Sequence, residues 1–574
     1  MIHLNFSIWI SYVFYLFGTT ILCIILNGSY YFYGWYYSNT PSKRQYDYII
    51  VGTGTAGSII AAKIPSKDVL IVEAGSMRSG LLDVPLLQPL LQGTRYDWQY
   101  RTEPQKDACG ALVENRSAWP MGKVFGGTHM LNNMIHYRAE IKDFIGWFDR
   151  EDELQSFLEY FERWGDDAMI PMEQTQFETD LSTAFIKAAD QAGLNESLFY
   201  RPNVTTKGGR RSTASHHNWQ NLQLGHELIL NAEVTKIIVQ NSKGTGLVIN
   251  KAGQTYEISA VKGIILAAGT IGSSKILLQS GIGPKLHLIA AGIQPIVDLP
   301  VGENLQDHIT TGMDLVLLSK RMPMQPMDLI HPSNIWKYLT NRGMNSSLSF
   351  GGCECLGFVN LDSSFTHNLG FMVLPVGITI DTGLHLRNLI NLREDIWQHY
   401  FEPLVNQGQQ SVTILPILLH PQSRGHVRIK NNNPHSNLII EPNYLREKQD
   451  IHLLTTGLKI LQHILSQPAM RDLGAEINPK PFPGCENIQF GSDSYWECYI
   501  RSLTLTLYHP VGTCRMGADH DPEAVVSNKD FKVHKLDNVY VVDGSVMPNL
   551  PSGNPNSVVA ALANYFLKVN FFNR

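Results

Sequence analysis

The run Tyr46-Asp47-Tyr48-Ile49-Ile50-Val51 leads straight into Gly52-Thr53-Gly54-Thr55-Ala56-Gly57, then into Ser58 to Lys63, which Pro65 cuts short. A β-branched apolar run that stops at glycine predicts a short buried strand, and the residues after it a helix. A second such strand, Val69 to Val72, ends in Glu73, twenty-one positions after Gly52. The order is strand, G-x-G-x-x-G, helix, strand, acidic residue. Each part has a physical task in gripping a dinucleotide. Gly52 permits the tight turn, Gly54 lets the backbone approach a pyrophosphate, and Gly57 permits close helix–strand packing. The helix N-terminus faces the phosphates. The Glu73 carboxylate can accept hydrogen bonds from a ribose diol and disfavours a 2′-phosphate, so NAD and FAD remain as candidates.

The chain has 574 residues, 44% of them hydrophobic and 17% charged, enough for more than one core. A formal charge of −5 over this length is close to neutral, and no basic run of five or more occurs. That excludes a nucleic-acid surface from the working expectations. There is no internal repeat and no low-complexity stretch.

The N-terminus differs from everything after it. Leu4 to Leu26 is mostly apolar and uncharged, and the Tyr- and Trp-rich segment Tyr30 to Tyr37 follows. Its length can span a bilayer, and its position also suits a secretory signal peptide. No Lys or Arg precedes it, while Lys43 and Arg44 follow, which is atypical of a signal peptide. Residues 1–40 are therefore expected to be a signal peptide or a membrane anchor. The protein is expected in the secretory pathway, secreted or tethered to a membrane through residues 4–26. Sequons at Asn115, Asn195, Asn203 and Asn345 agree with a glycoprotein. Cys109, Cys353, Cys355, Cys485, Cys498 and Cys514 follow the apolar segment, a number that permits disulfides without showing them. Cys353-x-Cys355 lacks the second Cys/His pair of a zinc site, and no metal is expected.

Met121-Gly122-Lys123-Val124-Phe125-Gly126-Gly127-Thr128-His129 is a second glycine-rich turn, followed by Met130 to Ile135 with the paired amides of Asn132 and Asn133. Paired glycines let a backbone lie against a flat ligand. Val261 to Ala268 predicts another buried strand, and Gly269 to Gln279 a helix with a stop signal at Gly281 and Pro284. Near the C-terminus, His509 sits in Tyr508-His509-Pro510-Val511-Gly512 and Asn556 in Gly553-Asn554-Pro555-Asn556-Ser557, with the strand-like Val539 to Val542 and Asp543-Gly544 between them. A histidine can take a proton near neutral pH and an amide can hold a hydroxyl. That pairing suits an alcohol, provided something accepts the hydride.

These motifs together resemble the glucose–methanol–choline (GMC) oxidoreductases, FAD-dependent enzymes acting on alcohols. The resemblance rests on 52–57 with Glu73-Ala74-Gly75, on Gly269 to Gly283, and on Val301-Gly302-Glu303-Asn304-Leu305-Gln306-Asp307-His308. Ser423 to Val427, Pro442 to Leu445 and the stretch His509 to Asn556 extend it, so that it runs from about residue 46 to 567. It implies an α/β fold: a Rossmann-like FAD-binding domain assembled from discontinuous segments, with an α+β substrate-binding domain carrying an antiparallel sheet. Residues 46–313 would form the GMC N-terminal part, 314–419 the substrate-domain region, and 420–567 the C-terminal part with the catalytic tail.

By the same resemblance FAD would meet Gly52, Thr53, Gly54, Ala56, Gly57, Glu73 and Ala74. Val124, Thr128, Asn132, Asn133, Met134 and Ile135 would lie along it, and Val234 would meet adenine. Asp543 and Gly544 would lie near the ribityl chain and phosphates, and Asn556, Ser557 and Val558 near the flavin pyrimidine edge. Tyr508 and Cys355 are expected to line the substrate pocket.

The implied reaction oxidises an alcohol CH–OH to a carbonyl. His509 is expected as base, Asn556 as hydrogen-bond partner on the same face of the flavin, and flavin N5 as hydride acceptor. Oxygen or a quinone-like acceptor would reoxidise the flavin. A cyanohydrin lyase or cyanohydrin oxidase on the same scaffold is the alternative. The sequence departs from the family at His129, which replaces a small hydroxyl residue, and at His136, where an aromatic is usual. His129 does not align with the histidine that carries covalent FAD in some members. No residue of the substrate region names the alcohol.

Overall fold

The computed structural model describes residues 40–137, 139–162, 170–175, 177–194, 197–219, 226–322, 331–340, 346–361, 367–380 and 385–572. The expected anchor or signal peptide and the sequons Asn195 and Asn345 lie outside the described residues. Among the described residues no helix is long and apolar enough to cross a membrane.

The opening stretch folds into β1 (Gln45–Val51), α1 (Thr55–Lys63) and β2 (Val69–Val72), with Val51 beside Val72 in a parallel pair. Every residue of β2 is buried, as expected of a strand covered on both faces. α1 stops at Lys63 because Pro65 biases Ile64 toward the extended conformation it adopts, φ −61° and ψ 128°. Gly57 is a packing residue: a Cβ there would lie 2.0 Å from the Gly52 carbonyl oxygen.

The long strand β3 (Gln254–Leu266) is the spine of this sheet. Its C-terminal half runs parallel to β1, with Leu266 beside Val51, and its first half closes an antiparallel meander with Glu233–Gln240 and Lys243–Lys251. Glu227–Ile229 extends the sheet beyond β2, and Val539–Val541 pairs in parallel with Ile264–Leu266. β3 begins at Gln254 rather than Val261, because its first half alternates between exposed and buried residues and carries no continuous apolar run. The helix after it, α2 (Gly269–Gln279), ends in a Schellman turn. The N–H of Gly281, at φ 79°, donates to the Leu278 carbonyl, and that of Ile282 to the Leu277 carbonyl.

The second sheet is antiparallel. Its centre is β4 (Cys355–Val359), β5 (Leu369–Leu374) and β6 (Gln410–Leu418), flanked by Leu198–Tyr200 on one side and by Val316–Leu318 and Glu476–Ile477 on the other. Strand alternation gives it two faces. Leu356, Phe358, Met372, Leu415 and Ile417 form one apolar cluster, while Cys355, Val359, Val373, Val412 and Ile414 pack into the main core. The fold is thus the expected α/β arrangement, with a Rossmann-like sheet drawn from distant segments and a separate antiparallel sheet. Cys485 and Cys498 form a disulfide, and Cys109, Cys353, Cys355 and Cys514 are buried free thiols.

Candidate active site

β1, β2 and β3 all deliver their C-terminal ends to one cavity of about 830 Å³, which the antiparallel sheet closes from the other side. Ligands of open α/β sheets bind at this end of the strands. The structure brings Gly52, Thr53, Gly54, Ala56, Glu73, Ala74, Thr128, Asn132, Asn133, Met134 and Ile135 to its wall, together with Val234, Tyr508, His509, Asp543, Gly544 and Asn556.

Five expected wall residues are absent from the wall: Gly57, which packs on the Gly52 carbonyl, and four that face elsewhere. Val124 is fully buried in a cluster with Leu82, Met130 and Leu131, and its backbone bridges to Ser76. Cys355 points into the main core, because alternation along β4 gives the cavity to Leu356 and Phe358 instead. Ser557 and Val558 are buried, and the Ser557 hydroxyl donates to the Tyr137 carbonyl. Those two residues offer a ligand only their backbone. They occupy the first turn of α3 (Asn556–Leu567), whose leading N–H groups have no partner within the helix.

One end of the cavity fits a dinucleotide. A Cβ on Gly54 would meet nothing within 4 Å, so the backbone there is open to a ligand, and the α1 N-terminus begins beside it. Gly52, at φ 99°, has no room for a side chain: a Cβ would lie 2.4 Å from the Ala267 carbonyl oxygen. The second glycine loop packs on the first, with the Gly127 Cβ position 2.8 Å from the Gly54 Cα. The Glu73 carboxylate accepts from the Thr53 N–H at 2.9 Å, the Thr53 hydroxyl at 2.6 Å and the Gly75 N–H at 2.8 Å. Burial raises its pKa, and these donors oppose the rise. Asp543 does the same for α2, accepting from the Gly269 N–H at 2.9 Å and the Ser273 hydroxyl at 2.6 Å. Two glycine loops, helix N-termini and a buried acid at the end of β2 fit FAD.

The other end is built around His509. Strand Ile309–Thr310 pairs with Leu505–Thr506, which sets His308 beside His509. The His308 Nε2 lies 3.0 Å from the Leu419 carbonyl oxygen, and its Nδ1 lies 2.9 Å from the His509 Nδ1. A carbonyl accepts only, so His308 carries its proton on Nε2 and presents Nδ1 as acceptor. His509 must then donate from Nδ1, which leaves its Nε2 lone pair toward the cavity. Burial pushes the His509 pKa down to about 3 and that of His308 well below the ordinary histidine value, so both rings are neutral. Below them Asp307 is fully buried and accepts from the His509 N–H, the Thr506 hydroxyl and the Tyr444 hydroxyl. Burial pushes its carboxyl up to about 6 against those donors.

The amide that meets His509 is Asn554, not Asn556. The Asn554 Nδ2 lies 3.1 Å from the His509 Nε2. Asn556 turns toward α1: its Oδ1 accepts from the Thr55 hydroxyl at 2.6 Å, and its Nδ2 lies 3.3 Å from the His129 Nε2. Buried His129 completes the triangle with Nδ1 3.3 Å from the Thr55 Oγ1. The reason is local. Pro555 is the N-cap of α3, so Asn556 belongs to the first helical turn while Asn554 stays in the preceding loop. That division was readable from Asn554-Pro555-Asn556, since the residue before a proline is steered away from helix. Asp307 and His308 stood in a family signature without a role, and only the strand pairing brings them to the site.

Comparison with known proteins agrees with this geometry. A GMC oxidoreductase family model for the N-terminal half matches residues 46–310, and one for the C-terminal half matches 421–563. Glucose dehydrogenase (FAD, quinone) of Drosophila melanogaster is 29% identical over 565 residues, covering 91% of this chain and 87% of that protein. Oxygen-dependent choline dehydrogenase of Photobacterium profundum is 29% identical over 559 residues, covering 90% and 91%. The crystal structure of pyridoxine 4-oxidase from Mesorbium loti matches with a TM-score of 0.74 at 25% identity, over 92% of this chain and 99% of that one. The chain belongs to the GMC oxidoreductases and is an FAD-dependent oxidoreductase.

Proposed function

We propose that the protein oxidises an alcohol CH–OH group to a carbonyl, with His509 as base. The observation that carries this reading is the His509 Nε2, held as an acceptor at the cavity wall, where the Asn554 amide N–H donates to it at 3.1 Å. A substrate hydroxyl that displaces the amide from Nε2 donates to Nε2 and accepts from the freed Asn554 N–H, which aligns its O–H bond for removal of the proton. FAD, when bound, would supply the acceptor for the hydride that leaves the hydroxyl-bearing carbon. The Asp307 carboxylate holds the His509 backbone, and His308 holds its ring. Oxygen or a quinone-like compound is the proposed final acceptor, as the names of the two relatives suggest.

The proposed location is the secretory pathway, with residues 1–40 as signal peptide or membrane anchor. The Cys485–Cys498 disulfide supports an oxidising compartment, and Asn115 and Asn203 are exposed where a glycan would need them. Anaerobic mixing of the flavin-loaded protein with alcohols tests the reaction: substrate bleaches the flavin absorbance, and admission of oxygen or a quinone restores it. A redox-idle lyase would cleave cyanohydrins and leave the flavin oxidised. In His509→Ala the reduction should slow by about 10²–10⁴-fold.

A further inference from the structure

We propose that the alcohol is lipophilic, a hydroxyl carried on a hydrocarbon body, and is neither a sugar nor a quaternary ammonium alcohol. The inference rests on the alcohol-oxidation reading and deepens it.

The wall facing the reacting end is one face of the antiparallel sheet. Register sets Leu356 beside Met372 and Met372 beside Leu415, with Phe358 and Ile417 flanking Gly370 in the next row. Among the described lining residues between 313 and 419, Thr413 alone carries a polar side chain. Its hydroxyl is taken by Asp314: it accepts from the Asp314 N–H at 3.2 Å and lies 3.4 Å from the Asp314 Oδ1. Thr310 and Thr506, which also reach the cavity, donate to the Pro416 carbonyl at 2.7 Å and to Asp307 at 2.6 Å. The apolar character continues away from the sheet. The segment Gln88–Leu91 packs on the helix His385–Leu389, and Leu86, Leu87, Leu90 and Leu389 line the cavity there, interrupted by Gln88, whose amide donates to the Leu131 carbonyl, and by Gln92.

Such a wall selects by what it fails to offer. Each sugar hydroxyl laid against it would lose a water partner and find none in exchange. A buried ammonium would need a carboxylate or an open aromatic face. The carboxylates lining the cavity, Glu73, Glu233 and Asp543, stand with the dinucleotide-binding segments. Of the aromatic rings at the reacting end, Phe358 is stacked on Tyr137 with centroids 3.9 Å apart, Phe350 packs on Phe177 and Phe371 on Phe199. That leaves Tyr508 as a single ring where a cation site needs several. A hydrocarbon chain meets no such penalty and gains with every buried methylene. The polar side chains left to the substrate are few: His509 and Asn554 at its hydroxyl, with Tyr508 and Gln92 elsewhere on the wall.

The test is anaerobic stopped-flow reduction of the full-length holoenzyme by 1-butanol, 1-hexanol, 1-octanol, D-glucose and choline. The inference expects kcat/KM to rise roughly fourfold per added methylene along the alkanols, with glucose and choline far below 1-octanol. Reduction by glucose or choline more efficient than by 1-octanol, or alkanol rates indifferent to chain length, overturns it while leaving alcohol oxidation standing. Reduction by none of the compounds overturns both. Leu415→Asn supplies an independent arm: it should lower kcat/KM for 1-octanol by at least about tenfold while changing 1-butanol by less than about threefold. An equal loss on both substrates overturns the assignment of this wall to the substrate body.

Discussion

The His308 Nδ1 lies 2.9 Å from the His509 Nδ1, and only one proton fits between the two nitrogens. The Leu419 carbonyl, 3.0 Å from the other nitrogen of His308, decides which ring supplies it. The His509 tautomer is therefore set two steps away from the cavity, by a backbone oxygen. His308 acts through His509 and is a positioning residue.

If His308 sets that tautomer, His308→Ala should lower kcat for flavin reduction by about 10²–10⁴-fold, the upper end being the scale of a histidine base left in the wrong tautomer. KM should stay within about threefold, because no substrate contact is removed. His308→Gln, whose carbonyl oxygen can still accept from the His509 Nδ1–H, should recover part of the loss. A rise in KM with kcat intact in both variants would reduce His308 to a packing residue.

The two asparagines flanking Pro555 should separate cleanly. Asn554→Ala removes the donor facing the His509 Nε2 and should cost about 10²-fold in the flavin-reduction rate at saturating FAD. Asn556→Ala breaks the triangle with Thr55 and His129, which ties α3 to α1 across the cofactor end. Its expected signature is looser FAD retention on gel filtration with the reduction rate of the loaded enzyme nearly unchanged. The opposite pattern would restore Asn556 as the partner of the base.

The dinucleotide half was legible because its signals are local. Strand, glycine loop, helix and acid follow one another within residues 46–73, and each glycine task is a backbone matter that sequence states directly. The catalytic half was legible only in part. His509 was evident from its frame, but the choice between Asn554 and Asn556 depends on where α3 starts. The roles of Asp307 and His308 depend on a pairing between Ile309–Thr310 and Leu505–Thr506, nearly two hundred residues apart in the chain. Cys355 failed for a related reason, since strand register decides which alternate residues of β4 see the cavity.

Titration of His509 gives a pH prediction with a definite sign. Its folded pKa, about 3, lies below the ordinary histidine value of 6.5, so the folded state resists a proton that the unfolded chain accepts. The stability tied to the neutral ring is full above pH 6.5 and is lost as pH falls toward 3. Asp307 and Asp314, pushed up to about 6, work in the opposite sense, since their native forms favour the proton. A comparison of wild type with His509→Gln isolates the histidine. The wild-type advantage in urea denaturation should fall by about 2 kcal/mol between pH 7 and pH 5. The rate of flavin reduction should show no acid limb from His509 over that range. A limb near pH 6.5 would mean that the ring titrates as though exposed.

Gly54 and Gly57 belong to one motif yet predict opposite failures. A Cβ at Gly57 would sit 2.0 Å from the Gly52 carbonyl oxygen, a contact that exists with or without a ligand. Gly57→Ala should therefore destabilise the protein itself, by about 1–3 kcal/mol or more, and lower its melting temperature in apo form. A Cβ at Gly54 would meet nothing within 4 Å, and the backbone there, at φ −61°, suits any residue. Gly54→Ala should leave apo stability within about 0.5 kcal/mol of wild type, as for a surface change. Its methyl group enters the space where the pyrophosphate must approach, so FAD affinity should drop at least about tenfold. Flavin titration of the two apoproteins, beside their melting curves, checks both halves. Full FAD affinity in Gly54→Ala would place the pyrophosphate away from this loop.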